Sequence, residues 1–200
     1  MKLVLASSSP RRLDLLARLG VTPDRVASPD IDESPRKGEL PRPYAERMAA
    51  EKARAITREP GEAVLAGDTT VAVGRRILPP ADTPERQRAM LTLLSGRRHH
   101  VYSAVALIDG EGTLRTRLSD SIVIFKRLHP SEIDAYVRSG ECLGKAGGYA
   151  IQGRAEALIR WMSGNHSGVV GLPLYETRTL LIAAGFPPVM PGGQDTPLDA

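Results

Sequence analysis

The chain has 200 residues, of which 42% are hydrophobic, so it can bury a substantial core as one domain or as two closely joined lobes. Its only cysteine is Cys142, which excludes an internal disulfide framework and a zinc site built from several cysteines. A net charge of +4 suits a polyanionic ligand, whereas two Phe and one Trp leave few aromatic platforms for single-stranded nucleic acid. A small polyanion is therefore favoured over nucleic acid.

The residues near the two ends of the chain bear on its expected cellular location and on the extent of its domain. A strand is expected directly after Met1 and Lys2, which leaves no room for a signal peptide, and no apolar run approaches membrane-spanning length. We therefore expect a cytoplasmic protein that does not enter a membrane. Residues 186–200 are rich in Pro and Gly, and we interpret them as a loose tail behind a single domain over residues 1–185.

The first predicted element is an apolar strand over residues 3–6, which leads through three serines into a short helix. Ser9 is expected to cap this helix, and Pro10 suits its first position. Its apolar stripe is predicted to consist of Leu13, Leu16 and Leu19.

The start of this helix is a candidate anion site. Free amide N–H groups at a helix start hold phosphates and carboxylates. The polar side chains around them here are Ser7, Ser8, Arg11 and Arg12. An ordinary capped helix with two solvated arginines is the alternative interpretation.

Helices and strands then follow in mixed order without strict alternation. Helices are predicted over residues 43–56, 84–95, 131–138 and 174–184, and strands over residues 63–66, 71–73, 101–108, 118–125 and 157–162. This order predicts an α/β chain of the mixed α+β kind, with helices packed on a central mixed sheet, rather than a Rossmann domain.

Two charged residues stand in apolar surroundings. Asp68 lies mid-strand or at a break between the apolar stretches 63–66 and 71–73. A strand end is where α/β sheets commonly place functional groups, although a turn-forming aspartate gives the same pattern. Lys52 shares a helix face with Met48 and Ile56, where an ammonium group is costly to bury unless it is paired. A lysine whose stem covers the core while its head reaches water is the alternative.

Further candidates lie in predicted loops. Asp32 and Glu33 can offer carboxylate oxygens to a hard divalent cation, although a solvated acidic loop has the same composition. Lys145 lies in a glycine-rich loop over residues 144–153, which either approaches a ligand closely or is a mobile surface loop. His166 is interpreted as a loop or packing residue rather than a catalytic one.

Several common site motifs are missing or incomplete. Residues 140–146 are one residue short of a P-loop and carry Ala146 where a magnesium-binding Ser or Thr is required. No G-x-S-x-G motif occurs, and the adjacent His99 and His100 are expected to point to opposite faces of a strand. A P-loop NTPase, a Ser-His hydrolase and a zinc hydrolase are therefore disfavoured.

The remaining motifs share a resemblance that extends to about Ala184. They are residues 5–12 (LASSSPRR), 51–53 (EKA), 67–69 (GDT), 94–97 (LSGR), 136–141, 145–147 (KAG), 151–153 (IQG) and 171–174 (GLPL). In this order and spacing, the sequence resembles the Maf family of nucleoside triphosphate pyrophosphatases.

The resemblance implies an inosine-triphosphatase-like fold with two lobes around a nucleotide cleft. It also implies that a homodimer hydrolyses a nucleoside triphosphate between its α and β phosphates, with Mg²⁺ or Mn²⁺ as the divalent cofactor. By this resemblance Asp68 is the catalytic residue and, with Glu33, a metal ligand. The positions that match the triphosphate site are Ser8, Arg12, Lys52 and Lys145. These roles suit phosphoryl chemistry, which depends mainly on positioning and on neutralising charge.

Three positions separate the substrate branches of the family, and here they are Arg11, Thr69 and Gln152. This set resembles the branch that acts on dTTP and UTP, and a Gln amide suits a pyrimidine edge because it can both donate and accept. One alternative is the 7-methyl-GTP branch, which typically has Gln directly after the Asp. The other is a nucleotide-binding or nucleic-acid-binding regulatory protein with weak turnover, although the basic residues are dispersed rather than clustered.

One position departs from the family pattern. The family usually carries a lysine in the turn after Ile77 and Leu78, whereas this sequence has Pro80 there, with neither a charge nor an N–H donor. Arg75 or Arg76 is the candidate to replace the missing charge.

Overall fold

The computed structural model describes residues 1–141 and 144–186. The strands of these residues are β1 (Lys2–Ala6), β2 (Arg25–Ala27), β3 (Glu62–Val73), β4 (Arg76–Leu78), β5 (Arg98–Ile108), β6 (Leu114–Phe125) and β7 (Ile159–Ser163). The helices are α1 (Pro10–Ala17), α2 (Pro41–Arg54), α3 (Pro84–Leu94), α4 (Pro130–Arg138), α5 (His166–Val170) and α6 (Leu174–Ala183). A 3₁₀ helix over Arg154–Leu158 leads into β7.

These strands form one mixed sheet. Its order is β2-β1-β3-β5-β6-β7, and β4 pairs with β3 off this path. β1 runs parallel to β2 and β3, whereas β3 pairs antiparallel with β4 and β5, and the sheet continues antiparallel through β6 and β7. The prediction of a central mixed sheet with helices packed on it is therefore confirmed.

The alternation of side chains along β1 and β3 gives each face of the sheet its own core. Leu3, Leu5 and Leu65 pack on one face with leucines of α1 and α6. Val4 and Ala66 pack on the other face against alanines of α2, whose small side chains let this helix lie close to the sheet. As a result, α1 and α2 cover opposite faces of the same strands.

One edge of β3 is open in its middle. On this edge β1 pairs with Glu62–Ala66 and β4 pairs with Val71–Val73, while β5 covers the opposite edge. Among the described strands, none pairs with residues 67–70 on the β1 side. This opening lies directly beyond the carboxyl end of β1, which is where open α/β sheets bind ligands.

The structure corrects the predictions for β3 and α1. The two strands predicted over residues 63–66 and 71–73 are one strand, because the pairing of β3 with β5 continues past Asp68. Of the two placements that the sequence left open for Asp68, the mid-strand one is confirmed. Ser9 occupies the N-cap position of α1, but its side chain makes no capping hydrogen bond. Leu13 is 39% exposed, because the helix turns another side towards the leucines of β1. The buried leucines are Leu15, Leu16 and Leu19.

Smaller differences concern element ends. α2 begins at Pro41, two residues before the predicted start, and the residues before Ile159 form the 3₁₀ helix instead of the first part of β7. Cys142 and the predicted tail from residue 187 onward lie outside the described residues. Across the described part of the chain, no helix is both long and apolar enough to cross a membrane.

A third cluster of buried side chains, which includes Val71 of β3 and Leu78 of β4, contacts a buried histidine. His99 is fully buried, stacks on Phe125, and its Nε2 lies 2.8 Å from the Tyr149 hydroxyl oxygen. The neighbouring His100 points to the other face, where its Nδ1 lies 2.8 Å from Asp120 Oδ1. The predicted opposite orientation of the two histidines is confirmed.

This burial makes stability depend on pH. Burial lowers the pKa of His99 from 6.5 to about 4. Between these two values the unfolded chain binds a proton that the folded protein does not, so protonation favours unfolding. We expect the free energy of unfolding to fall as the pH drops through this range, by up to about 1.4 kcal/mol per pH unit from this group.

Urea unfolding of the wild type and of His99→Gln, at about pH 7.5 and about pH 5, measures this contribution. The stability advantage of the wild type over the variant should be larger at the higher pH, because the variant cannot take up this proton. A difference between the two proteins that does not change with pH would contradict the prediction.

Candidate active site

A cavity of about 310 Å³ lies over the open stretch of β3. Its wall is formed by the start of α1, by α2 and β3, and by the glycine-rich loop that follows α4. It is lined by all nine residues to which the family resemblance assigns a catalytic, metal-binding or substrate role: Ser8, Arg11, Arg12, Glu33, Lys52, Asp68, Thr69, Lys145 and Gln152. The structure brings these residues together, and their individual roles remain predictions.

Two carboxylates share one ammonium group in this cavity. Lys52 Nζ donates to Asp68 Oδ1 at 2.8 Å and to Glu33 Oε2 at 2.9 Å. Asp68 Oδ2 accepts a further hydrogen bond from the Thr70 hydroxyl at 2.9 Å. Asp68 and Lys52 are 6% and 7% exposed, whereas 54% of the Glu33 side chain is exposed. The arrangement is therefore a buried ion pair with a second carboxylate on its solvent side.

Strand alternation and helix periodicity explain how this pair forms. Asp68 lies two residues after Ala66 on β3, so both side chains face α2. Lys52 lies one helical turn from Met48 and from Ile56, which are both buried, so its side chain points towards the sheet. The ammonium is buried and paired, as its apolar neighbours require. The alternative of a lysine head that reaches water is wrong.

The loop that carries Glu33 is fastened to α2. The Tyr44 hydroxyl donates to the Glu33 carbonyl oxygen at 2.7 Å. Arg47 donates to both oxygens of Glu39, at 2.7 and 2.6 Å, and to the Ser34 carbonyl oxygen at 3.2 Å. Hydrogen bonding to Arg47 lowers the pKa of Glu39 to about 2. These contacts hold the Glu33 backbone at the edge of the cavity.

A distant backbone segment fixes Arg12. Arg12 Nε donates to the Gly171 carbonyl oxygen at 2.9 Å, and Nη1 donates to the Ser7 hydroxyl oxygen at 3.0 Å. Burial lowers the pKa of Arg12, and the nearby Asp68 acts in the opposite direction. No hydrogen bond from Arg12 Nη2 to another described residue is found, so part of the guanidinium can still donate to phosphate oxygens.

Thr69 is joined to the same segment through a serine that sequence reasoning missed. Thr69 Oγ1 lies 3.0 Å from Ser103 Oγ, and Ser103 donates to the Gly168 carbonyl oxygen at 2.6 Å. Thr69 Oγ1 also donates to the Gly171 carbonyl oxygen at 3.4 Å. Ser103 lies 34 positions from Thr69, and no local pattern around it indicates this contact. The Thr69 hydroxyl is thus engaged by the protein beside Arg12.

The glycine-rich loop packs closely on β3. Gly147 has a φ of +70°, and a Cβ there would lie 2.8 Å from Val71 Cγ1, so a side chain at this position would be both strained and obstructed. Gly144 N donates to the Ala81 carbonyl oxygen at 2.8 Å, and Ala81 N donates to the Lys145 carbonyl oxygen at 3.2 Å. These contacts place Lys145 in the cavity wall, so the described part of this loop is not a free surface loop.

Pro80 lines the cavity and forms an isolated β-bridge with Ala146. Arg75 and Arg76 lie at the turn between β3 and β4 and are not among the residues that line the cavity. The structure therefore gives no support to a replacement of the missing lysine by either arginine.

Two other sequence candidates also lie outside the cavity lining. The Asp32 carboxylate accepts a hydrogen bond from Ser34 N at 2.9 Å, and hydrogen bonding to Ser34 lowers the pKa of Asp32. His166 is an exposed residue at the start of α5. Neither residue joins the predicted site.

The cavity carboxylates suit a divalent cation that is also coordinated by phosphate groups of a substrate. The described residues contain no group of three or more His, Cys, Asp or Glu side chains that could hold a metal ion by itself. Asp68 and Glu33 nevertheless present oxygens around one ammonium group. Mg²⁺ is usually bound by one or two carboxylates together with substrate phosphates, and this donor set fits that arrangement.

The fold and the cavity together define a mixed-sheet protein with arginines and lysines around a buried carboxylate. Residues 2–184 match the family model described as Maf-like protein, and the chain belongs to the Maf family. The resemblance inferred from the motifs is thereby confirmed.

Relatives over most of the chain have high identity. A dTTP/UTP pyrophosphatase of Sphingopyxis alaskensis is 64% identical over 186 residues, which cover 92% of this chain and 97% of the relative. A dTTP/UTP pyrophosphatase of Rhodospirillum rubrum is 56% identical over 187 residues, which cover 93% of this chain and 89% of the relative. Among solved structures, a HAM1 protein from Coxiella burnetii has 18% identity and a TM-score of 0.49, over 92% of this chain and 100% of that chain. At this score the superposition adds nothing to the family assignment.

Proposed function

We propose that this protein is a nucleoside triphosphate pyrophosphatase that hydrolyses dTTP and UTP to the monophosphate and pyrophosphate. The observation that carries the proposal is the buried Asp68–Lys52 pair, which shares one cavity with Arg12. The two relatives described above, at 64% and 56% identity, are named for this activity and support it.

Positive charge around the cavity suits a triphosphate. Arg12 and Lys145 both line the cavity, Lys145 from the glycine-rich loop. The Ser8 hydroxyl adds a neutral donor. Phosphoryl chemistry needs mainly correct positioning and cations that neutralise developing charge, and these side chains supply both.

Asp68 is the group that suits proton transfer. In the proposed reaction, a water molecule attacks the α phosphorus and gives its proton to the Asp68 carboxylate. The bond from the α phosphorus to the bridging oxygen breaks, and pyrophosphate leaves with that oxygen. Lys52 orients the carboxylate through its hydrogen bond of 2.8 Å to Oδ1, since a general base must be held within reach of its proton.

A divalent cation completes this proposal. Asp68 and Glu33 would hold Mg²⁺ or Mn²⁺ together with the substrate phosphates, and the cation would neutralise phosphate charge when bound.

The homodimer and the cytoplasmic location that we expect remain predictions. Light scattering tests the first, and cell fractionation tests the second.

Substrate choice is assigned to Arg11, Thr69 and Gln152, which all line the cavity. We expect kcat/KM for dTTP and UTP to exceed that for ATP, GTP and 7-methyl-GTP by about tenfold or more, since one or two well-placed hydrogen bonds give this discrimination. Pyrophosphate release measured with each nucleotide, in the presence of Mg²⁺ or Mn²⁺, tests the proposal. A preference for 7-methyl-GTP would overturn the branch, and DNA binding without turnover would favour the regulatory alternative.

Restoring a lysine at Pro80 should increase activity. Pro80 lines the cavity, whereas Arg75 and Arg76 do not, which supports the view that neither arginine replaces the missing ammonium. We expect Pro80→Lys to raise kcat/KM for dTTP by about tenfold, because a charge-assisted contact to phosphate contributes about 1.5–3 kcal/mol. Steady-state kinetics with dTTP measures the effect.

The matched control for this substitution is Pro79→Lys, because Pro79 is an exposed neighbour outside the cavity lining. It should leave kcat/KM within about twofold. If Pro80→Lys changes nothing while Arg75→Ala or Arg76→Ala lowers activity, an arginine already fills the role. If none of these substitutions alters turnover, the turn does not contact the substrate.

A further inference from the structure

One carboxylate outside the cavity lining holds the segment that carries Gln152. Both oxygens of Glu141 accept from Arg154 N, at 2.9 and 3.0 Å. Glu141 Oε1 also accepts from the Tyr136 hydroxyl at 3.2 Å, and the hydroxyl oxygen accepts from Ala150 N at 3.0 Å. The amide groups on both sides of Gln152 are thus tied, directly or through Tyr136, to the same carboxylate.

The neighbouring residues are adapted to this contact. A Cβ at Gly153 would overlap the Glu141 carboxylate, although the backbone of Gly153 is not in the left-handed region, so glycine serves here for close approach. The backbone carbonyl oxygen of Glu141 accepts from Lys145 Nζ. Glu141 therefore contacts the glycine-rich loop at two places: at Lys145 and close to Gln152, which are the loop's two predicted ligand-binding residues.

Gln152 depends on this backbone for its position. Its side chain is exposed and lines the cavity, and no hydrogen bond fixes its amide to another of the residues that the structure describes. A side chain without such contacts takes its direction from the backbone that carries it. That backbone is held at two amides: Arg154 N donates to Glu141 directly, and Ala150 N donates to the Tyr136 hydroxyl, which in turn donates to Glu141.

We propose that Glu141 is a positioning residue for nucleotide selection, which holds residues 150–154 so that the Gln152 amide meets the base. The proposal rests on the proposed function, because it assumes that Gln152 contacts the base of a nucleoside triphosphate. Glu141 itself does not line the cavity and contacts neither the buried Asp68–Lys52 pair nor Arg12. Its loss should therefore affect recognition more than the chemical step.

The test is Glu141→Gln, which keeps the size of the side chain but turns one acceptor into an N–H donor. The amide oxygen of the variant can still accept from Arg154 N and from the Tyr136 hydroxyl. The amide nitrogen that replaces the other oxygen cannot accept from Arg154 N, and the negative charge is lost. We expect the ratio of kcat/KM for dTTP over GTP to fall by about tenfold, as on the loss of a charge-assisted hydrogen bond. The change should lie mainly in KM for dTTP, with kcat within about twofold, since Asp68 and Lys52 are unchanged.

The matched control is Glu132→Gln, on the helix that precedes this loop. The Glu132 carboxylate is also hydrogen-bonded, to Lys126 Nζ at 2.6 Å and to His129 N at 2.9 Å, but it is not among the contacts of the loop. This variant should lose stability without a change in nucleotide selection. If it lowers the dTTP to GTP ratio as much as Glu141→Gln does, a general loss of stability explains both, and the proposal is overturned.

A binding measurement separates this proposal from the proposed function. The rise in melting temperature that dTTP causes should exceed the rise that GTP causes in the wild type, and the two should become similar in Glu141→Gln. This readout needs no turnover, so an inactive wild type would overturn the proposed function while the comparison still decides the role of Glu141. If Glu141→Gln does not fold, Tyr136→Phe removes the hydroxyl that links Glu141 to Ala150 N and should lower selectivity in the same direction. Unchanged selectivity in a folded variant, or no selectivity in the wild type, overturns the proposal.

Discussion

Asp68→Asn is expected to reduce pyrophosphate release by at least about a hundredfold, because loss of a general base commonly costs about 10²–10⁴ in rate. The substitution removes the negative charge but keeps the volume and an oxygen that can accept from Lys52 or Thr70. The fold should therefore persist. Single-turnover and steady-state measurements with dTTP and Mg²⁺, together with a thermal unfolding curve, test this result.

The matched control is Asp120→Asn, which removes a carboxylate from the neighbouring part of the sheet. Asp120 lies on β6, its Oδ1 is 2.8 Å from His100 Nδ1, and it does not line the cavity. Its activity should stay within about twofold of the wild type. Turnover near the wild-type level in Asp68→Asn would remove the proposed role of this carboxylate.

Lys52→Met is expected to lower kcat/KM for dTTP by about 10²–10³, because it removes the ammonium that orients the Asp68 general base. The substitution should also lower the melting temperature, because it leaves Asp68, which is 6% exposed, without its cation. The Glu33 carboxylate, which shares the same ammonium, would lose its partner as well. Kinetics with dTTP and thermal unfolding measure the two effects separately.

A double substitution separates the two consequences. Lys52→Met combined with Asp68→Asn should be more stable than Lys52→Met alone, because no buried charge is left unpaired. Lys37→Met serves as the control, since Lys37 is exposed and does not line the cavity. If the double variant is less stable than Lys52→Met alone, the buried ion pair is not the cause of the instability.

Much of the fold could be predicted from local patterns. Pro84 after Thr83 predicted the start of α3, and the structure has Thr83 Oγ1 as a cap that accepts from Arg86 N at 3.2 Å. The periodic placement of Met48, Lys52 and Ile56 put Lys52 on an apolar helix face and left open whether its head reaches water; all three residues are buried. These features depend on residues within a few positions of one another, so the order of residues is sufficient to indicate them.

The prediction for β3 was less successful, and the cause is long-range pairing. Gly67 and Asp68 are common in turns, so the sequence left open whether Asp68 lies mid-strand or at a break between two strands. The pairing of β5 with Val64–Ala72 keeps the strand extended past them. Hydrogen bonds from a distant strand thus override a local turn preference, and they decide in favour of one continuous strand.

The sequence by itself determined the order of the longer helices and strands, though not the short β2, β4 and α5. It also indicated the unusual charged residues Asp68 and Lys52 and the motifs of the family. Only the tertiary structure decided which partners these residues have. Arg12 meets Gly171 across 159 positions, Thr69 meets Ser103 across 34, and Arg154 meets Glu141 across 13. Such contacts depend on strand register and loop packing, which follow from the whole core and cannot be deduced from residues close together in the chain.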